Sequence, residues 1–193
     1  MTTANKRIAV VGAHGVGKNT VCIKLLQREK FGQRGVNVTY MPETVRSTMF
    51  MSHDILAKEI GGDINSCAWL YHRHWSQMLE HEYSCDVFIT KRLPLDYVVF
   101  NECAYAMEMI KETLPFQYLE LAVEQAKQFH EVYFVRHNPD HDLITDSIRQ
   151  GPAASEELQP LWDANYKRII DEYKVPVIEG TAGELLEKIK VRI

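Results

Sequence analysis

The segment Gly12-Ala13-His14-Gly15-Val16-Gly17-Lys18-Asn19-Thr20 constrains the fold more than any other part of the chain. It follows the apolar, β-branched run Arg7 to Val11 and precedes a stretch in which Val21, Cys22, Leu25 and Leu26 recur at helical spacing. A glycine-rich turn that closes a strand and opens a helix belongs to a βαβ crossover, and so calls for a parallel sheet. Spaced glycines let the main chain curl until successive N–H groups face one point. The helix adds the positive end of its dipole, and Lys18 adds a full charge. Such a loop is built to hold a polyphosphate, which makes Gly12, His14, Gly15, Val16, Gly17, Lys18, Asn19 and Thr20 the candidate ATP-binding residues.

The rest of the chain supplies the sheet. Runs rich in β-branched residues at Asn37 to Met41, Val87 to Thr90, Val132 to Val135 and Val175 to Ile178 read, with the first, as five buried strands. Between them, Cys67, Leu70, Tyr71, Trp75, Met78 and Leu79 share one helical face, and Leu161, Ile169, Ile170 and Tyr173 a second. Alternating strands and helices imply parallel crossovers, hence a three-layer α/β/α sandwich around a five-stranded parallel sheet. With 193 residues and neither repeat nor linker, a single domain spanning 1–193 is expected, with a polar lid over about 136–155.

Composition narrows the partners. A formal net charge of −4 gives no global attraction to nucleic acid, so a small-molecule partner is favoured. Cys22, Cys67, Cys85 and Cys103 are widely spaced and form no zinc pattern, which predicts reduced, packed thiols. No apolar run approaches the roughly 20 residues of a membrane span. Met1 to Arg7 is polar rather than signal-like, so the expected compartment is the cytoplasm. A homodimer is compatible with the sequence, which is silent on assembly.

In open parallel sheets, ligands collect beyond the carboxyl ends of the strands, and each such end here carries unusual polar residues. After the second strand come Glu43 and Arg46, a carboxylate placed to take a proton and a guanidinium placed to hold an anion. After the third come Lys91, Arg92 and Asp96, the last a candidate carboxylate for a metal but more readily a helix cap. His137 and His141 have metal-pair spacing, yet Pro139 between them argues against a continuous helix. Trp69 and His72 are candidates to border an acceptor pocket, although aromatic residues at helical spacing also make core.

On these residues the chain resembles the P-loop nucleoside and nucleotide kinases, over nearly its whole length, and within them the small ATPase-like proteins related to ribosylnicotinamide kinases. The resemblance implies that Lys18, Glu43, Arg92 and Arg149 are catalytic. Glu43 matches the base for the acceptor hydroxyl, Glu43-x-x-Arg46 the ribosylnicotinamide-type pattern, and Arg92 the arginine that binds the acceptor and the migrating phosphate. Asp146-x-x-Arg149 resembles the lid element, with Arg136 and Arg168 as other lid candidates. The loop from Gly180 to Gly183 corresponds to a region that contacts the adenine base. Glu43, Arg46, Arg92, Trp69 and His72 are thus the acceptor-binding set.

Two positions depart from the pattern. The residue after the lysine is usually a Ser or Thr whose hydroxyl ligates magnesium, and here it is Asn19, with Thr20 matching the next threonine of adenylate-kinase loops. Lys91 stands where those kinases carry an acidic residue for magnesium. It either neutralises phosphate charge itself, marks a weakened catalyst, or was introduced. Mg2+ therefore remains an expected cofactor beside ATP, with Asn19 and Thr20 as its candidate ligands. The expected activity is ATP-dependent phosphorylation of a nucleoside or nucleoside monophosphate. Two alternatives are a kinase of a hydroxyl on a larger substrate, such as a hydroxymethylated base in DNA, and a nucleotide-binding sensor or partner module.

Overall fold

The computed structural model describes residues 6–32, 35–42, 64–83, 85–140 and 157–190. Its five strands are β1 (Lys6–Val11), β2 (Val38–Met41), β3 (Val87–Lys91), β4 (Glu131–Val135) and β5 (Ile178–Gly180). They form one sheet in the order β2-β3-β1-β4-β5, every pairing parallel. Side chains alternate across a strand, so neighbouring residues of the central strands enter different cores. Ile8, Val10, Val87, Ile89, Tyr133 and Val135 pack on one face with Val21, Cys22 and Leu25. Ala9, Val11, Phe88, Val132 and Phe134 pack on the other. Both faces are buried, which is why these strands read as unbroken apolar runs.

Six helices are described: α1 (Lys18–Gly32), α2 (Ile64–Glu82), α3 (Pro94–Ala106), α4 (Phe116–Lys127), α5 (Leu158–Tyr173) and α6 (Ala182–Lys188). Helices α1 and α6 cover one face through Val21, Cys22, Leu25 and Leu185. The other four cover the opposite face. The expected three-layer sandwich is therefore the observed one. No helix among the described residues is long and apolar enough to cross a membrane, and the four cysteines are free thiols, as expected.

Two expectations shift. The last strand begins at Ile178 rather than Val175, because Pro176 has no N–H for a ladder and the Val175 N–H is already bonded to Ile170 O at the end of α5. On α2, Cys67, Leu70, Tyr71 and Met78 are buried, but Leu79 is 41% exposed and Trp75 only half-buried. The buried seam runs 67, 71, 74, 78, and its third member is His74.

Candidate active site

Strand parity and crossover direction decide where the polar residues meet. The chain leaves β1 into α1 on one face of the sheet and leaves β3 into α3 on the other. Adjacent strands whose connections diverge in this way open a crevice at their carboxyl ends. The loop after β1 and the residues after β3 share that crevice, with Val10 directly opposite Lys91 in the ladder.

The loop curls as its composition predicts. Gly12, Gly15 and Gly17 have φ of 136°, 79° and 92°, a region that L-residues with a Cβ avoid. At Gly12 a Cβ would lie 2.4 Å from the carbonyl oxygen of Val135, so β4 passes too close for any side chain there. Lys18 is buried, and its Nζ donates to the Gly12 carbonyl at 2.9 Å and to that of Ala13.

Behind the loop lies a buried charged network. Asp96 is wholly buried at the third position of α3, where it accepts the N–H of Leu93 at 2.8 Å and that of Gly12 at 3.3 Å. Pro94 at the first position favours the same helix start, since its missing N–H would have no partner there. Burial pushes the Asp96 carboxyl above the ordinary carboxylate range, against the opposing pull of Arg92 and the main-chain donors. Arg92 is 2% exposed and donates from Nη1 to Asp96 Oδ1 at 3.2 Å and to the Gly12 carbonyl at 3.4 Å. Its Cζ stands 5.5 Å from the centre of the Trp162 ring, within cation–π range.

The backbone of Arg92 has φ of 85°, costly for a long side chain. Three contacts hold it there: its N–H donates to Val10 O at 2.9 Å, and its carbonyl lies 3.0 Å from His74 Nε2 and 3.1 Å from the Thr90 hydroxyl that donates to it. His74 is in turn 3.3 Å from Tyr97 Oη. Such strain persists only where the surroundings over-determine it, and it concentrates at functional sites.

The candidate residues divide accordingly. Gly12 to Thr20, Lys91, Arg92 and Asp96 are brought together. His14 is half-buried, its ring edge-on to Phe100 and Trp162 at 6.2 and 6.1 Å, and Gln159 donates to its carbonyl at 2.6 Å. Its side chain thus packs against α3 and α5 rather than standing exposed in the loop. The Arg92 Nη2 is 3.2 Å from both His14 ring nitrogens, which sets it over the ring rather than in line with either lone pair.

Trp69 is 46% exposed, and His72 lies on the exposed side of α2 with its Nε2 3.0 Å from Tyr118 Oη. From α2 it is the buried His74 that contacts the residues after β3, through the Arg92 carbonyl. Arg136 pairs with Glu184 at 3.2 Å, and Arg168 with Glu102 and Glu172 at 2.8 and 3.3 Å. Glu43, Arg46, His141, Asp146 and Arg149 lie outside the described residues, as does the expected lid beyond Asp140. Asp96 caps α3, its two carboxylate oxygens accepting the N–H groups of Leu93 and Gly12.

The two sequence departures are one contact. Nζ of Lys91 donates to Oδ1 of Asn19 at 3.0 Å. Magnesium binds oxygen at about 2.1 Å, so an ion on Asn19 Oδ1 would stand at most about 5 Å from the ammonium. The repulsion between charges of two and one at that distance is about 2 kcal/mol in water and about 7 kcal/mol at the effective dielectric of a protein surface. The residues at 19 and 91 do not fit a divalent cation in its usual place.

No family model matches the sequence, and no curated protein matches it by sequence. Solved structures do match in fold. Deoxyadenosine kinase from M. mycoides with bound dATP has a TM-score of 0.63 and 17% identity, over 95% of this chain and 96% of that one. The same enzyme with the products dCMP and a flexible dCDP has a TM-score of 0.64 and 17% identity, over 95% of each chain. The likeness is one of fold. This chain has the five-stranded, helix-flanked α/β fold of those nucleoside kinases.

Proposed function

We propose that the chain is an ATP-dependent phosphotransferase acting on a nucleoside or nucleoside monophosphate. The observation that carries the reading is the convergence of three positive-φ glycines, the α1 N-terminus, Lys18 and the strained Arg92 at one crevice. The fold likeness to deoxyadenosine kinase supports it further. A triphosphate entering the loop would take the N–H groups of residues 15–20, and the Lys18 ammonium would exchange the Gly12 and Ala13 carbonyls for phosphate oxygens. An acceptor hydroxyl oxygen then forms a bond to the terminal phosphorus as the bond to the bridging oxygen breaks. Its proton passes to the carboxylate of Glu43, and Arg149 closes from the lid.

Arg92 acts from behind the loop, fixing Gly12 and adding positive potential where charge accumulates; to touch an acceptor it would give up Asp96. The finer ribosylnicotinamide-kinase-like assignment rests on Glu43-x-x-Arg46 and Asp146-x-x-Arg149. Cytoplasmic location and a single domain belong to the same proposal.

The test is ADP release from ATP in the presence of nucleosides and nucleoside monophosphates, supplied one at a time. Acceleration by one acceptor, lost in Lys18→Ala, is the expected result. If none accelerates ATP consumption, the enzyme reading is wrong. A second reading, a nucleotide-binding module without turnover, is favoured by the Lys91–Asn19 contact and predicts ATP binding with no acceptor-dependent ADP. A basic rim near Lys91 and Arg92 would favour the DNA-kinase alternative, but both of these side chains are buried.

A further inference from the structure

Lys91 and Asn19 look unrelated in the sequence, yet the fold forces them together. Side chains alternate along β3, so Lys91 shares the face of Val87 and Ile89, the face covered by α1. Asn19 lies in the first turn of α1, and the register that sets Lys91 opposite Val10 fixes its Cα one strand from the loop. Lys91 is only 6% exposed, so its stem is held and its ammonium is presented at a defined point, 3.0 Å from Asn19 Oδ1.

In P-loop phosphate chemistry a hydroxyl at position 19 and a carboxylate from a neighbouring strand would hold the metal. Exchanging a carboxylate for an ammonium changes the local charge by two units, the charge of one magnesium ion. Asn19 orients the ammonium through its amide oxygen and carries an NH2 donor besides.

We propose that this chain binds the polyphosphate of its nucleotide without a divalent cation, with the Lys91 ammonium, oriented by Asn19, as the built-in counter-charge. The proposal rests on the nucleotide-binding reading of the loop. The ligand is the metal-free nucleoside triphosphate, and Mg2+ competes with Lys91 for it rather than assisting.

Calorimetry of the wild-type chain with ATP in EDTA and then in excess Mg2+ tests this without any variant. The expected result is a tighter apparent Kd in EDTA than in excess Mg2+, which sequesters ATP as its magnesium complex. Binding that Mg2+ tightens by about tenfold or more overturns the proposal and leaves nucleotide binding intact. Absence of ATP binding in both arms overturns the nucleotide reading and this proposal with it.

Lys91→Met should weaken binding in EDTA by about tenfold, the loss of one charge-assisted contact. If it binds as wild type, Lys91 is not the counter-charge. Asn19→Ser combined with Lys91→Asp should restore dependence on Mg2+, with weak binding in EDTA and tighter binding in its presence. The exposed Asn19→Ser alone serves if the Lys91 variants do not fold, and should bind in EDTA several-fold more weakly than wild type; unchanged binding in EDTA counts against the pair.

Discussion

Two glycines at positive φ allow the packing at the loop to be separated from backbone strain. Gly12 has φ of 136° and Gly35 has φ of 84°, so alanine at either position occupies a conformation that costs of order 1–3 kcal/mol. Their surroundings differ. A Cβ at Gly35 meets nothing within 4 Å, whereas one at Gly12 would lie 2.4 Å from Val135 O and 3.3 Å from its carbon. That oxygen belongs to β4, which is paired on both sides, so it cannot rotate away as a side chain would.

Relieving the overlap means parting the loop from β4, an overpacking cost of about 1–3 kcal/mol. Gly12→Ala should therefore lose about 4 kcal/mol and Gly35→Ala about 2 kcal/mol, a difference of about 2 kcal/mol. Urea unfolding followed by far-ultraviolet circular dichroism reads this as a shift in midpoint at constant slope. If the two variants unfold within about 0.5 kcal/mol of each other, the packing of the loop against β4 is not what the structure describes.

Three further outcomes follow from groups far from the crevice or apart from its chemistry. Burial alone would raise the Glu131 carboxyl, but hydrogen bonds from Lys6, Tyr133 and Arg28 bring it below its ordinary value of 4.5. A depressed folded pKa contributes stability above the unfolded value that is lost as pH falls through the folded one. Glu131→Gln should therefore cost about 1.5–3 kcal/mol at neutral pH and progressively less in acid below about pH 4.5, measured by urea unfolding across pH.

Burial raises the Cys22 and Cys103 thiols to about 11, and Cys67 is equally enclosed, so a thiol reagent at pH 8 should find at most the half-buried Cys85 quickly in the native protein. Two or more fast thiols would contradict the core. Lys174 ends α5 in the left-handed region at φ 56°, so Lys174→Gly should stabilise by about 1 kcal/mol, read as a raised melting temperature.

The sheet and the loop were legible because their signals are local: unbroken apolar strands, glycines at fixed offsets, a lysine before a helix. Helix α3 left no such trace. It is buried on nearly every side from Pro94 to Ala104, so no apolar stripe stands out from a polar face. His74 was hidden by its chemistry, since the seam through Cys67, Tyr71 and Met78 passes through it, but a polar residue is not counted in an apolar pattern. Start signals went unread too: Thr181 and Glu184 form a capping box whose spacing is plain in the sequence. The pairing of Asn19 with Lys91 needed the register between β1 and β3, which no local pattern encodes.

The order of strands gives the amino-terminal one a peculiar history. Strand β1 occupies the middle of the sheet, yet its neighbours, around Ile89 and Val132, are synthesised much later. During translation the segment before Gly12 emerges before either neighbour and waits without them, an apolar ribbon with both edges open. The glycine loop meets the Val135 carbonyl that abuts Gly12 only after β4 has left the ribosome, so a chain interrupted before β4 would carry the whole motif without the strand that packs against it.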